Sequence, residues 1–298
     1  MDIGEKIKEI RIAKCMTQAQ LAGDFITRNM LSLIENGAAK PSLTTVQYLA
    51  ERLKIPVGYL LAEDNENHIY KKMYNMENIK RAFTDGDYRI CRDICRSIEV
   101  CDDELYLILA CCDAGIAKEE FFFGKLRSSV RFFEEALEYD AKTIYSNGVI
   151  RAEATVYLRY MRRISPTLIA DVAEMETCDE MSLSDRICGY VIALEKIESK
   201  DLNIIENTMN TYCANQETPL TVHIKARHAM MSADYVRAKN LLINILNLQE
   251  RIADPILYSV FHDLEICSRE LDDYRGAYEY SADKVNLLER MLAEVDDI

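Results

Sequence analysis

Apolar residues recur every three or four positions along most of this 298-residue chain, so a helical period dominates it. In residues 1–62 the period marks five short helices. Ile3, Ile7, Ile10 and Ala13 form the first stripe, with Asp2 and Glu5 placed to cap it and Lys6, Arg11 and Lys14 turned to solvent or phosphate. Thr17 with Gln20 has the form of a capping box, which starts a second helix at Gln18 carrying Ala19, Leu21 and Ala22. Gly23 and Asp24 are poor helix residues and end it. Phe25 and Ile26 anchor the turn, and Thr27 caps a third helix from Arg28 to Asn36, with Gly37 just past its end. Met30, Leu31 and Ile34 share one face of that helix, while Arg28, Asn29 and Ser32 point elsewhere. Ser42 caps a fourth helix with Leu43, Val46, Leu49, Ala50 and Leu53 inward. Pro56 opens a fifth, in which Val57, Tyr59, Leu60 and Leu61 close the small core.

The polar run Glu63 to Asn67 reads as a linker at 63–67, separating residues 1–62 from a second domain, 68–298. That domain contains a weak internal repeat. DGDYRICRDICRSI from Asp85, FGKLRSSVRFFEEAL from Phe123, SADYVRAKNLLINIL from Ser232 and LDDYRGAYEYSADKV from Leu271 align. Each has a short turn, then a large anchor (Tyr88, Leu126, Tyr235, Tyr274) and a small residue three later (Cys91, Ser129, Ala238, Ala277). The stretch from Ser199 fits loosely with Leu202 in the anchor slot. The stretch after Ser165-Pro166 fits only by position. Adjacent anchors lie 38, 39 and 33 residues apart, a helix-turn-helix period of the tetratricopeptide kind. Ser165-Pro166, Thr218-Pro219 and Asp254-Pro255 each set a capping residue before a proline. The first helices then fall near 67–83, 103–118, 141–163, 184–198, 219–231 and 255–270. The small residue expected on the last of them is replaced by Glu265. The fold class is all-α: a five-helix domain followed by a superhelix of helical hairpins.

Two helices meeting at a tight turn, with Arg28 and Asn29 leading the second, place side chains that read base edges in a major groove. TQxxLA, R-x-x-L-S-x-IENG and KPS resemble the Cro/CI-type (XRE) helix-turn-helix, over roughly residues 1–62. The turn before Thr27-Arg28-Asn29 is one residue short, which resembles most the Rgg/PlcR branch of peptide quorum-sensing regulators grouped as RRNPP. The resemblance implies a cytoplasmic, homodimeric transcription factor that binds double-stranded DNA and a short signalling peptide. It also implies that Gln18, beside the DNA backbone, contacts phosphate or a base. Thr27, Arg28, Asn29 and Ser32 would lead the recognition helix, with Lys40 on phosphate.

Charge refines this picture. The formal net charge is −14, yet residues 1–62 hold eight Lys/Arg against six Asp/Glu, leaving 28 against 44 for the rest. DNA contacts therefore fall to the first domain, and the acidic second domain repels DNA. No apolar run reaches the length of a membrane span, and the N-terminus has no signal-peptide pattern. Ten cysteines without such a pattern read as reduced, mostly core-packing thiols; Cys91 and Cys95 share a helical face, and no histidine stands at ligand spacing from any of them. His223 and His228 do not share a face, so no metal site is expected, and no cofactor or enzyme motif occurs.

On the predicted first helices, Asn147, Arg151, Arg186, Tyr190, Arg227, Tyr258 and His262 are candidate peptide ligands, able to bond a backbone or a terminal carboxylate. Each has an alternative as a solvated or inter-repeat residue. Phe121, Phe122, Phe123, Phe132 and Phe133 read as core. Two other functions compete with a peptide-switched regulator. One is a phage-like repressor whose repeats only dimerise or dock a protein; the other is a repeat scaffold without significant DNA binding. Arg28→Ala is expected to weaken binding to a cognate site by about 1–3 kcal/mol while leaving random DNA nearly unaffected. Lys40→Ala is expected to weaken both alike and flatten the salt dependence, as read by fluorescence anisotropy over a salt series.

Overall fold

A computed structural model describes residues 2–62, 67–98, 101–169, 185–198, 202–212, 217–248 and 250–293. Among them the regular structure is helical, and no helix is long and apolar enough to cross a membrane. The chain forms two compact units, 1–101 and 102–298.

The first unit opens with α1 (Ile3–Ala13), α2 (Gln18–Ala22), α3 (Arg28–Glu35), α4 (Leu43–Leu53) and α5 (Val57–Leu61). The expected caps form. Asp2 and Glu5 close a capping box on α1, and Thr17 and Gln20 close another on α2. The Met30 N–H donates to Thr27 Oγ1 at 3.1 Å and the Thr45 N–H to Ser42 Oγ at 3.2 Å. Ile7, Leu21, Leu31, Ile34, Val46, Leu49, Leu53 and Leu60 make the core, each worth roughly 1.5–3 kcal/mol when fully buried. Gly4 lets α1 approach α3, since a Cβ there would stand 2.0 Å from the Ile34 carbonyl oxygen.

Several expected orientations are corrected. Lys6 does not face solvent: it is buried, and its Nζ donates to the Ala62 carbonyl at 2.7 Å, capping the end of α5. Arg11 turns inward to Glu35, and the Lys14 ammonium lies over the Tyr74 ring. Met30, Leu43 and Leu61 are exposed and lie outside the core.

The hairpin α6 (Asn67–Asp85) and α7 (Tyr88–Arg96) follows. The repeat pattern groups it with the array, whereas its packing, through α6 on α5, groups it with the first unit. The linker expected at 63–67 lies outside the described residues except for Asn67.

The second unit contains α8 (Asp103–Phe122), α9 (Leu126–Asp140), α10 (Val149–Ile164), α11 (Arg186–Glu198), α12 (Leu202–Tyr212), α13 (Pro219–Met231), α14 (Tyr235–Asn247), α15 (Asp254–Glu270) and α16 (Tyr274–Leu292). The small repeat residues Cys91, Ser129, Ala238 and Ala277 are buried where paired helices cross. Two of them bond the first helix in the same register, twelve residues back: Cys91 Sγ donates to the Ile79 carbonyl at 3.6 Å and Ser129 Oγ to the Ala117 carbonyl at 2.8 Å. In the last hairpin Glu265 stands at that register and is held by Lys284 and Arg269. Thr218 caps α13 ahead of Pro219 as expected, whereas Asp254 does not cap α15 but is its first residue, the cap position falling on Ala253. Ser165-Pro166 starts no helix. Ser165 closes α10, and Pro166 continues into a turn because it cannot donate to that helix. The stretch 170–184 lies outside the described residues.

The first helices touch in the order α8, α10, α11, α13, α15, and α15 touches α8 again, closing a circuit. Gly124, between α8 and α9, permits the closure. Its φ is +77°, and a Cβ there would lie 2.8 Å from the Asp254 Cβ and 2.9 Å from the Met291 Cγ. Arg290 locks the same corner, donating to Asp254 Oδ2 at 2.8 Å. Gly148 also has a φ of +77°, with nothing near its missing Cβ. Gly148→Ala is therefore expected to cost only the left-handed backbone, about 1–2 kcal/mol. Gly124→Ala should cost more, with a lower thermal midpoint by calorimetry, because crowding adds to that strain.

Candidate DNA interface and array cavity

At the N-terminus of α3, Thr27, Arg28 and Asn29 are exposed and Ser32 is half-buried on the same outward face. Lys40 is exposed in the loop after α3. The helix is oriented by a buried fork: Arg11 Nε and Nη2 donate to Glu35 Oε1 and Oε2 at 2.6 and 3.0 Å. The Glu35 hydrogen bond, opposed by burial and aided by the carboxylate charge, raises the guanidinium pKa. Gln18 Nε2 also donates to Glu35 Oε2, at 2.8 Å, so its amide ties α2 to α3. Phe25 stacks on Tyr48 with centroids 4.5 Å apart, and the Tyr48 hydroxyl donates to the Ala22 carbonyl, fixing the turn.

In the second unit the circuit of first helices surrounds a cavity of about 490 Å³. All five contribute: Lys118 and Phe122 from α8, Glu153 and Tyr157 from α10, Arg186 and Ile187 from α11, Pro219 and Leu220 from α13, Ile256 from α15. Glu250, Arg251, Ile252 and Ala253 complete the wall, and the Arg251 guanidinium covers the Phe123 ring at 4.7 Å. Phe122 thus lines the cavity and Phe123 is exposed, whereas Phe121, Phe132 and Phe133 are core as expected.

One side of the cavity is ionic. Lys118 Nζ lies 2.6 Å from Glu153 Oε2 and 3.0 Å from Asp185 Oδ2. Burial opposes the ammonium charge, but the two carboxylates outweigh it and raise the Lys118 pKa. Burial likewise opposes ionisation of Asp185, yet the Cys188 N–H, Lys118 and the Tyr157 hydroxyl hold it below the usual carboxylate range. Arg186, the neighbouring cation, is exposed and has no carboxylate partner among the described residues.

Beneath the cavity runs a buried polar chain. The Tyr160 hydroxyl is 2.7 Å from Ser259 Oγ, the Tyr190 hydroxyl 2.7 Å from His223 Nδ1, and His223 Nε2 2.9 Å from Asp263 Oδ2. A tautomer with Nε2–H donating to Asp263 and Nδ1 accepting from Tyr190 satisfies both ring nitrogens. Arg227 Nε lies 2.7 Å from Asp263 Oδ2, an ion pair without hydrogen-bond alignment. Burial, with Tyr160 alongside, pushes the Tyr190 phenol far above its ordinary pKa.

Of the candidate peptide ligands, Arg186 lines the cavity. Tyr190 and Arg227 belong to the buried chain, and Arg227 also borders a smaller pocket of about 190 Å³ beside Glu198 and Met230. Asn147 is not on a helix: it lies in an Asx turn before α10, its Oδ1 accepting from the Val149 N–H at 3.1 Å. Arg151 is exposed in the first turn of α10, and Tyr258 and His262 are half-buried on α15. Burial lowers the His262 pKa. Lys118, Glu153, Tyr157 and Asp185 carry no local sequence signal, since their partners lie 28 to 67 residues away. Removing one member of a buried ionic pair strands its partner. Asp263→Ala is accordingly expected to destabilise the second unit by about 3–5 kcal/mol in urea denaturation.

Residues 7–60 match the helix-turn-helix family described as HTH_3. No curated protein sequence matches the chain. Among solved structures, Bacillus thuringiensis PlcR in complex with the peptide PapR7 and DNA is similar at 14% identity and a TM-score of 0.25, covering 98% of this chain and 96% of that one. A mutant of PrgX is similar at 13% identity and a TM-score of 0.31, covering 94% and 100%. The N-terminal domain of this chain is a helix-turn-helix DNA-binding domain of the XRE type.

Proposed function

We propose that this protein is a cytoplasmic, homodimeric transcription regulator whose array binds a short signalling peptide and thereby changes DNA binding. The observation that supports the DNA half is α3: Arg28 and Asn29 stand exposed at the start of a helix oriented by the Arg11–Glu35 fork. Arg28, Asn29 and Ser32 read bases, Thr27 fixes the helix start, and Lys40 holds phosphate. Gln18 acts on DNA through Glu35 and the backbone position of α2.

The cavity supports the peptide half. About 490 Å³ accommodates a few side chains, and its walls combine apolar Phe122, Ile187, Leu220, Ile252 and Ile256 with the guanidinium of Arg186. That combination suits an apolar peptide end, with Arg186 on a carboxylate. Because all five first helices line the cavity, a bound peptide favours one spacing of the circuit over another. A switch needs that difference in affinity between two arrangements.

Selection of DNA sites from a random pool by the full-length protein tests the DNA half. Recovery of a palindrome or spaced repeat, lost in Arg28→Ala/Asn29→Ala, is expected; a folded protein that enriches nothing, with or without peptides from culture supernatant, refutes it. Supernatant peptides added to the selected site test the other half, with an expected change of at least fivefold in apparent Kd. Leu220→Trp fills the cavity and is expected to abolish that response while keeping basal DNA affinity. An unchanged response in Leu220→Trp would place the peptide elsewhere.

A further inference from the structure

The last helix of the array carries two apolar stripes. Ala277, Leu287 and Met291 are buried on one side of α16. The other stripe runs Tyr274, Tyr278, Ser281, Val285, Leu288, Leu292, alternating steps of four and three residues, the heptad spacing of a helix that lies along another helix. Tyr274 is 69% exposed, Tyr278 76% and Val285 46%. Earlier hairpins do not leave this position open. Leu126, the same anchor in α9, is fully buried, and Tyr235, the anchor in α14, packs against the core shared by α13, α14 and α15. Tyr274 occupies the same repeat position, and no hairpin among the described residues covers it.

We propose that the outward stripe of α16 packs against the same stripe of a second copy, antiparallel, about a two-fold axis that crosses the stripe between Ser281 and Val285. This inference rests on the homodimeric part of the reading above and supplies the surface. Charge sets the direction. Arg275 and Glu289 flank the stripe on the same side, each seven residues from Ala282, and both are exposed. Antiparallel pairing places each Arg275 opposite Glu289 of the partner subunit, twice over. Parallel pairing would turn Arg275 and Glu289 away from each other, each toward the opposite flank of the partner helix, where Ala277 and Met291 are buried in the array. Arg275 pairs with the exposed Glu279, one turn away at 3.1 Å, a contact it can exchange at little loss. Small residues, Ser281 and Ala282, occupy the crossing point and let the two backbones approach. A heptad seam between identical helices, closed by a two-fold axis, satisfies the self-complementarity that an isologous interface requires.

Sedimentation equilibrium of the full-length protein at micromolar concentration tests this, with circular dichroism melts run beside it. The wild type is expected to sediment as a dimer of the 34.3 kDa chain. Tyr278→Glu/Val285→Glu should sediment as a monomer with unchanged helicity and melting, because both side chains are exposed. Arg275→Glu should raise the dimer Kd at least tenfold, and Arg275→Glu/Glu289→Arg should restore it. A wild-type dimer that persists in Tyr278→Glu/Val285→Glu overturns the α16 interface while leaving the dimeric reading intact. A dimer weakened by Arg275→Glu but not rescued by the exchange overturns the antiparallel register. A monomeric wild type overturns both the interface and the dimeric reading.

Discussion

A row of helical hairpins ordinarily ends where its last member ends, and here the last member meets the first. That contact, α15 and α16 against the turn after α8, constrains everything inside it. It obliges position 124 to be glycine, because side chains from two later helices, Asp254 and Met291, occupy the space a Cβ would need. It brings residues of all five first helices to the lining of one cavity. It also sets Tyr160 of α10 within hydrogen-bond reach of Ser259 of α15, two helices that an open row would hold apart.

Packing of the first helices brings ionisable groups out of water, and the second unit handles them by pairing rather than exclusion. Asp263 is completely buried and meets His223 and Arg227; Lys118 sits between Glu153 and Asp185. Such clusters contribute little net stability against an apolar replacement. Their geometry, however, ties α8 to α10 and α11, and α13 to α15, at fixed spacings. The walls of the cavity are therefore held by directional bonds, while Phe122, Ile187, Leu220 and Ile256 supply its apolar surface.

The sequence was most legible where the physics is local. Capping boxes at Asp2–Glu5 and Thr17–Gln20 need only residues three apart, and both form. The repeat anchors and their small partners likewise report a contact that recurs at fixed separation, down to the twelve-residue bond of Cys91 and Ser129. Asn147 was legible in principle, since Ser146-Asn147-Gly148 is a turn sequence, but the apolar periodicity on either side carried the helix across it. Lys6 was not, because its partner carbonyl lies 56 residues away at the end of another helix. The same holds for Lys118 with Glu153 and for closure at Gly124, where only the folded chain brings the residues together.

The inward turn of Lys6 and Arg11 has a kinetic meaning for a protein that must find one site among many. Both cations count toward the formal charge of the DNA-binding domain, yet one caps α5 and the other holds Glu35, so neither is available to displace counterions from a duplex. Each phosphate contact forgone removes about 0.9 from the logarithmic salt slope. Weaker hold on arbitrary sequence means shorter dwell between encounters, and a larger share of the final affinity rests on the few side chains that touch base edges.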